Sequence, residues 1–322
     1  MILGHERQID YLNKVLKNGR LAHAYLFYGP EHIGKFTIAK LLAKTLHCEK
    51  SVVSLDGVCG LCTSCRLIDS DHNPNVIVLD REHSLLSKKD KRKDIPIEDI
   101  RELRRILSLT PEGNKWRVVI VNEAERTSPE AADSFLKLLE EPGQRILFIL
   151  VSHERELLSP TIISRSQSIR FSTVADAMLG KFLASRPNAV EKSDKVVLLA
   201  AGRPGVLLRL LEEKDTLLED NKLVETLNKI INGSEAITAL ELSQKIAYND
   251  EVRKKAFEYT ILLIRSRMQK AVGTGETALA LRALRKIINI HEVVETTNVN
   301  PRLALDSALL TFTTIKGIIP SL

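Results

Sequence analysis

No apolar run in this chain approaches the length that crosses a bilayer, which excludes a helical membrane span. The start, MILGHERQID, turns charged almost at once and has no signal-peptide core. These two absences predict a cytoplasmic protein with no membrane partner. Internal repeats and low-complexity tracts are missing too, so solenoid and fibrous architectures are set aside. Aromatics supply only 4% of residues, against 44% hydrophobic and 27% charged, which leaves an ordinary globular chain rich in Leu and Ile. A length of 322 residues predicts two or three domains with ample core. The net charge of +6 is spread along the sequence, so it leans only weakly toward a polyanionic partner. Cysteine is absent everywhere outside Cys48–Cys65.

What is present is organised around Ala24–Leu46, AYLFYGPEHIGKFTIAKLLAKTL. Ala24–Tyr28 is a short apolar run rich in aromatics, which predicts a buried strand. Gly29 to Lys35, GPEHIGK, reads as a turn. Phe36–Leu46 then places Ile38, Leu41, Leu42 and Thr45 at helical spacing. Strand, glycine turn and helix in that order are the layout of a phosphate-binding loop. Glycines let the backbone N–H groups face an anion, the helix N-terminus adds positive dipole, and the lysine reaches the β- and γ-phosphates. The competing reading is a chance glycine turn. One position departs from the motif, which asks for Ser or Thr after the lysine to ligate Mg²⁺. Phe36 stands there, and Thr37 lies about 100° further round the helix. Gly29, Gly34 and Lys35 are therefore expected as a vestigial phosphate loop.

A second departure concerns the same ion. Arg117–Val121 predicts a strand that ends in Asn122-Glu123. An NTPase of this build has an acidic pair there, Asp toward Mg²⁺ and Glu to activate water. Asn122 is a neutral amide, a weaker ligand for a hard cation; Glu123 is retained. Two altered positions on one metal point the same way, and ATP binding itself stays open.

The four cysteines follow C-x10-C-x2-C-x2-C: Cys48, Cys59, Cys62 and Cys65. Cytosolic proteins seldom keep disulfides. Four thiols this close suit a tetrahedral Zn²⁺ site, and four sulfurs close it, so the metal is structural. Buried or redox-active thiols are the alternative. Further strands are predicted at Val76–Leu79, Ile146–Val151 and Ser168–Phe171. Helices are predicted ahead of the first strand, from Ile97 to Leu107, and from Ser128-Pro129 to Glu141. Lys88–Lys93 is a basic run, read either as a solvated loop or as a contact with DNA backbone. Strands alternating with helices give an α/β domain with a parallel sheet. After Phe171 the strands stop. Helices are expected at Ala175–Leu183, Lys195–Ala201 and Val206–Glu213, with Gly202 to Gly205 as a break. From Leu217 to Ile319 almost everything has helical period, broken at Gly233, Gly273, Gly275 and Asn300-Pro301.

GPEHIGK, the cysteine insert continuing to His72-Asn73-Pro74, NEAER at Asn122–Arg126, LLEEP at Leu138–Pro142, Ser164-Arg165-Ser166 and NPRLALDSALL at Asn300–Leu310 resemble a bacterial DNA polymerase III clamp-loader subunit. The likeness is collinear over nearly the whole chain. Within that AAA+ family it is similar to the delta-prime type more than to the gamma/tau motor subunits, which carry the Mg²⁺-binding residues lacking here. The end at Leu322, without a long tail, fits the same type.

The resemblance implies three domains: an AAA+ P-loop domain over 1–172 with a Cys₄ zinc insert at 48–65, a small helical lid over 173–214, and an all-α collar over 215–322. It implies a hetero-pentamer with gamma/tau and delta subunits that loads a sliding clamp onto primed DNA. The delta-prime type implies a largely non-hydrolysing stator whose Ser-Arg-Cys motif sends an arginine finger into a neighbour's ATP site. Arg165 occupies that position, with Ser166 in place of Cys. A short ATP-hydrolysing motor subunit is the runner-up. Arg203, in Gly-Arg-Pro-Gly, lies near the motor subunits' lid arginine and is left unassigned.

Overall fold

The computed structural model describes residues 2–50, 52–81, 85–86, 92–109, 115–186, 193–212, 214–232, 236–270 and 276–313. Most of the basic run, the breaks at Gly233, Gly273 and Gly275, and the helical stretch expected beyond 313 lie outside these. The chain divides into two compact units, Met1–Leu179 with Gly202–Gly205, and Gly180–Ala201 with Val206–Leu322.

The first unit is built on five parallel strands: β1 (Ala24–Tyr28), β2 (Val76–Leu79), β3 (Arg117–Val121), β4 (Ile146–Ser152) and β5 (Gln167–Arg170). Their order is β2-β3-β4-β1-β5, so β1 sits between β4 and β5. Successive side chains of a strand point to opposite faces, and both faces here are apolar. Tyr25, Phe27, Val118, Ile120, Leu147 and Ile149 face a layer from α1 (Glu6–Lys17) and α2 (Lys35–His47), including Leu12, Ile38 and Leu42. Leu26, Val119, Val121, Phe148 and Leu150 face α4 (Ile97–Leu107) and α5 (Pro129–Glu140) through Ile100, Leu103, Phe135 and Leu139. Each such buried side chain stabilises by roughly 1.5–3 kcal/mol. This double layer explains why the strands read as continuous apolar runs rather than alternating ones. Ser128 caps α5 by accepting from the Ala131 N–H at 3.2 Å, with Pro129 in the first turn.

Two short helices carry candidate site residues and were not expected from the sequence. The helix α3 (Thr63–Asp69) holds Cys65, with Cys62 at its N-cap. The helix α6 (Pro160–Ser164) runs directly into Arg165. Both are too short for helical periodicity to register. The strand β5 starts one residue before the predicted Ser168.

The second unit is helical. α7 (Asp176–Ala184) leads into it, followed by α8 (Ser193–Ala200), α9 (Pro204–Glu212), α10 (Lys214–Ile231), α11 (Ala236–Ile246), α12 (Asp250–Lys270), α13 (Glu276–Thr296) and α14 (Pro301–Thr313). Its core includes Leu227, Ile230, Phe257, Ile264, Ile287 and Leu305, all at most 2% exposed. The expected break at Gly202 to Gly205 is shorter than predicted. Ala201 and Gly202 take left-handed backbone (φ 50° and 70°), while Pro204 already opens α9. Proline fits there because the first helical N–H has no partner to lose. Asn300 caps α14, its side-chain oxygen accepting from the Arg302 N–H at 2.9 Å. Among the described residues no helix is long and apolar enough to cross a membrane.

Candidate functional site

The phosphate-type loop leaves the C-terminal end of β1. Gly29 has φ 139°, and a Cβ there would sit 2.1 Å from the Phe171 carbonyl oxygen, so only glycine fits. Gly34, at φ 103°, is the N-cap of α2, and its carbonyl accepts from the Ile38 N–H at 3.0 Å. Lys35 follows in the first turn and is 6% exposed. Its ammonium donates to the carbonyls of Gly29 at 2.5 Å and Pro30 at 2.6 Å, folding the side chain back over its own loop. Burial pushes the Lys35 amine down to about 8, although the carboxylates of Glu125 and Glu31 pull the other way.

The loop borders a cavity of about 550 Å³. Phe36 and Thr37 both line it, as do Asn122 and Glu123 from the end of β3. Phe36 also lies under the Lys40 ammonium, 5.1 Å from the ring centre, which gives the phenyl group a packing role at the position where a hydroxyl would meet Mg²⁺. Glu123 stands at φ 52°, and its carboxylate is held by Arg81 at the end of β2. The guanidinium grips both oxygens: Nη2 donates to Oε1 at 2.8 Å, and Nε donates to Oε2. A carboxylate in a two-bond fork has its lone pairs turned to the guanidinium instead of to a water. Glu125 lies deeper, its side chain 4% exposed, against His153 Nδ1. Burial pushes the Glu125 carboxyl up, but bonds from His153, its own backbone and Ser152 outweigh this and hold it below the usual range. The same bond to Glu125 raises His153, with burial opposing.

Arg81, Glu125 and His153 are the cavity residues that sequence reasoning missed. Each follows a strand's C-terminal end, which is where open α/β sheets place ligand-binding groups, and that was the available signal. What pairs them is not readable, because Arg81 and Glu123 are 42 positions apart.

Arg165 sits elsewhere. Tyr25 pairs with Gln167 in the β1–β5 ladder, so Arg165 is level with His23, at the N-terminal edge of the sheet. The phosphate loop is at the other edge, six residues further along β1. At about 3.3 Å per residue the two edges are ~20 Å apart, well beyond an arginine's reach. Arg165 Nη2 meets Glu140 Oε1 at 2.7 Å, with the two side chains 37% and 48% exposed. Its Nη1 donates to the Thr161 carbonyl at 3.3 Å.

The cysteines converge between α2 and α3. Cys48 is the C-cap of α2, and Cys65 is in the first turn of α3. All four sulfurs lie within 4.8 Å of one another, with Cys48–Cys59 at 3.6 Å and Cys59–Cys65 at 4.0 Å. A tetrahedral ion with sulfurs at ~2.3 Å sets neighbouring sulfurs ~3.8 Å apart, so these residues fit Zn²⁺. The Cys62 N–H donates to Cys59 Sγ at 3.3 Å and the Cys65 N–H to Cys62 Sγ at 3.4 Å, the turn that each x2 spacing builds. N–H bonds from Leu61 and Cys62 bring the Cys59 thiol down to about 6, while burial pushes Cys65 up to about 12. The Leu55 N–H donates to Asn13 of α1 at 2.8 Å, and Lys44 of α2 meets Asp69 of α3 at 2.5 Å. These ties fix the insert to the first unit.

Parallel strands in this order, with a glycine-lysine loop after β1 and an acidic turn after β3, define a P-loop module of the AAA+ type. The family model described as DNA polymerase III, delta subunit, matches residues 4–175. The chain belongs to that family of clamp-loader subunits. It is 28% identical to DNA polymerase III subunit delta' of Pseudomonas aeruginosa, over 83% of this chain and 78% of that protein. It is 29% identical to subunit tau of Bacillus subtilis, over 70% of this chain and 39% of tau. It is 32% identical to subunit tau of Escherichia coli, over 51% of this chain and 24% of tau. The chain thus spans well under half of the tau relatives' length.

Proposed function

We propose that this chain is the delta-prime-type stator of a DNA polymerase III clamp loader. It hydrolyses little or no ATP itself and supplies Arg165 to the ATP site of a neighbouring subunit. One observation carries the reading: the positions that would do ATP chemistry are substituted or engaged by other groups of this chain, while an arginine stands on the opposite edge. Phe36 and Asn122 replace two protein contacts to Mg²⁺. Glu123, which would activate water, is clasped by Arg81. Lys35 is turned onto the Gly29 and Pro30 carbonyls. Arg165 cannot serve this chain's own loop across the sheet, but its exposed position suits a site offered by a second chain. A guanidinium fits that task because it stays charged and offers several donors to phosphate oxygens.

The further elements follow from this reading. Residues 173–214 act as a lid, and 215–322 form a collar that assembles a hetero-pentamer with gamma/tau and delta subunits. That cytoplasmic assembly loads the sliding clamp onto primed DNA during replication. Cys48, Cys59, Cys62 and Cys65 hold Zn²⁺, which supplies a closed cross-link rather than chemistry. A second reading, a short motor subunit that hydrolyses ATP, draws on the likeness to tau. The deciding experiment is ATP turnover by the purified chain, alone and then with a gamma/tau subunit. The stator reading expects none alone and stimulation in the mixture. Steady turnover of roughly 1 s⁻¹ by the isolated chain, abolished by Lys35→Ala, overturns it.

A further inference from the structure

The helices α13 and α14 border a groove of about 630 Å³ in the helical unit. On α13 its wall is a single stripe, running from Arg282 to Val293 at three- and four-residue steps. The stripe is polarised. Arg282, Arg285 and Lys286 occupy one end, and among the described residues no carboxylate lines the groove. Among the described residues none of these three cations takes part in an ion pair. The other end is apolar and open to water: Val293 and Val299 are each 43% exposed, and Leu303 is 65% exposed. Ala304 and Ser307 of α14 are small and keep the floor clear between the walls.

We propose that this groove docks an amphipathic helix of a partner protein, about three turns long, with an aliphatic end and an acidic end. The length follows from the stripe: Arg282 to Val293 rises ~16 Å at 1.5 Å per residue. The aliphatic end is set by the apolar floor, where burial against Val293, Val299 and Leu303 is favourable. The acidic end is set by three cations that take part in no ion pair among the described residues. Two other occupants fit less well. A second copy of this chain placing the same surface against itself brings like charges together. A nucleic acid would use the cations but leave the valines and leucine facing a charged backbone.

The test uses the full chain. A phage-displayed library of 12-residue peptides is selected on the immobilised chain and counter-selected on Leu303→Glu. A dye-labelled selected peptide is then titrated by fluorescence anisotropy. The expected consensus carries two or more acidic residues beside aliphatic residues spaced three or four apart. Arg282→Glu with Arg285→Glu should weaken that peptide roughly 10–100-fold, because each exposed pair is worth up to about 1 kcal/mol and reversal turns attraction into repulsion. A peptide with lysines in place of its acids should regain binding to the reversed variant. These positions are exposed, so an unchanged melting temperature confirms that the variants are folded. The proposal is overturned by a neutral or basic consensus, or by binding that ignores Leu303→Glu. It is equally overturned if a single-stranded oligonucleotide displaces the peptide, or if sedimentation reveals a dimer that Leu303→Glu dissolves.

Discussion

Replacing Arg165 by alanine separates what this residue does for its own fold from what it does for a neighbour. Within the chain its main partner is Glu140, at 2.7 Å, with both side chains more than a third exposed. Such a solvent-bathed pair contributes about 0.2–1 kcal/mol. Its loss should lower the melting temperature of the purified chain by no more than about 4 °C. The effect in trans is of another order. An arginine finger speeds GTP hydrolysis by ~10³–10⁵, equivalent to roughly 4–7 kcal/mol. Detaching from Glu140 is therefore the smaller term, and a phosphate offered by a neighbour wins. The assay is a reconstituted complex in which assembly, DNA-stimulated ATPase and clamp loading are measured. Arg165→Ala should assemble normally, yet loading should fall, with total ATPase dropping by the share of the one affected site. Arg165→Lys should rescue poorly, since a point charge cannot copy the two-pronged guanidinium. Glu140→Ala removes the competing carboxylate and should leave ATPase unchanged or raise it. If Arg165→Ala assembles and loads clamps at the wild-type rate, the trans role is gone, and the residue is only one half of a surface pair.

The remaining predictions concern the cysteines, the ATP site and the His153 pair. Freshly purified protein should carry close to one zinc per chain by elemental analysis. Cys62→Ser should abolish that metal and loosen the insert while the sheet stays folded, because the insert's ties are local; a chain that binds no metal and keeps its insert ordered contradicts the site. Phe36→Thr with Asn122→Asp should give at most weak turnover while Arg81 still clasps Glu123, and adding Arg81→Ala should raise it; equal rates with and without Arg81 refute the inhibitory role of that pair. His153 is raised above its ordinary 6.5 by Glu125, so the stability it contributes is complete below that pH and is lost as pH climbs through the raised value. Glu125 is held below its ordinary 4.5, so its share is lost only on acidification past that point. The melting-temperature gap between wild type and His153→Ala should be widest between these two values and narrow as pH rises past 6.5 through the raised His153 value. A gap that is flat with pH removes the charged pair from the account.

The sheet was legible because its strands are buried on both faces and stand out as apolar runs between turns. The loop and the cysteines were legible because their chemistry depends on short, fixed spacings such as GPEHIGK and C-x2-C. Contacts between distant positions leave no such trace. Arg81 with Glu123 and His153 with Glu125 become neighbours only when strands are laid side by side, and Arg165 with Glu140 only when α6 packs on α5. Helix edges were less sharp for a local reason. Proline and left-handed residues decide where α9 begins, and α3 and α6 are too short to develop a repeating pattern. Of the basic run at 88–93, Arg92 meets the buried Asp99 at 3.3 Å, and most of the rest lies outside the described residues.

Gly29 has a consequence for how such loops are recognised. The glycine is normally counted as evidence of nucleotide binding, since it lets main-chain amides surround phosphate. Here its hydrogen atom lies beside the Phe171 carbonyl just past β5, and any larger group would have to push that backbone aside. The residue is thus required by architecture even if no nucleotide ever enters. A glycine-lysine signature in this fold therefore has two independent causes, and a search that scores the signature as one piece of chemical evidence counts a packing constraint as a function. In chains of this build, the residues that discriminate a working ATP site from an inherited shape are those with no structural duty, the hydroxyl after the lysine and the acid after β3.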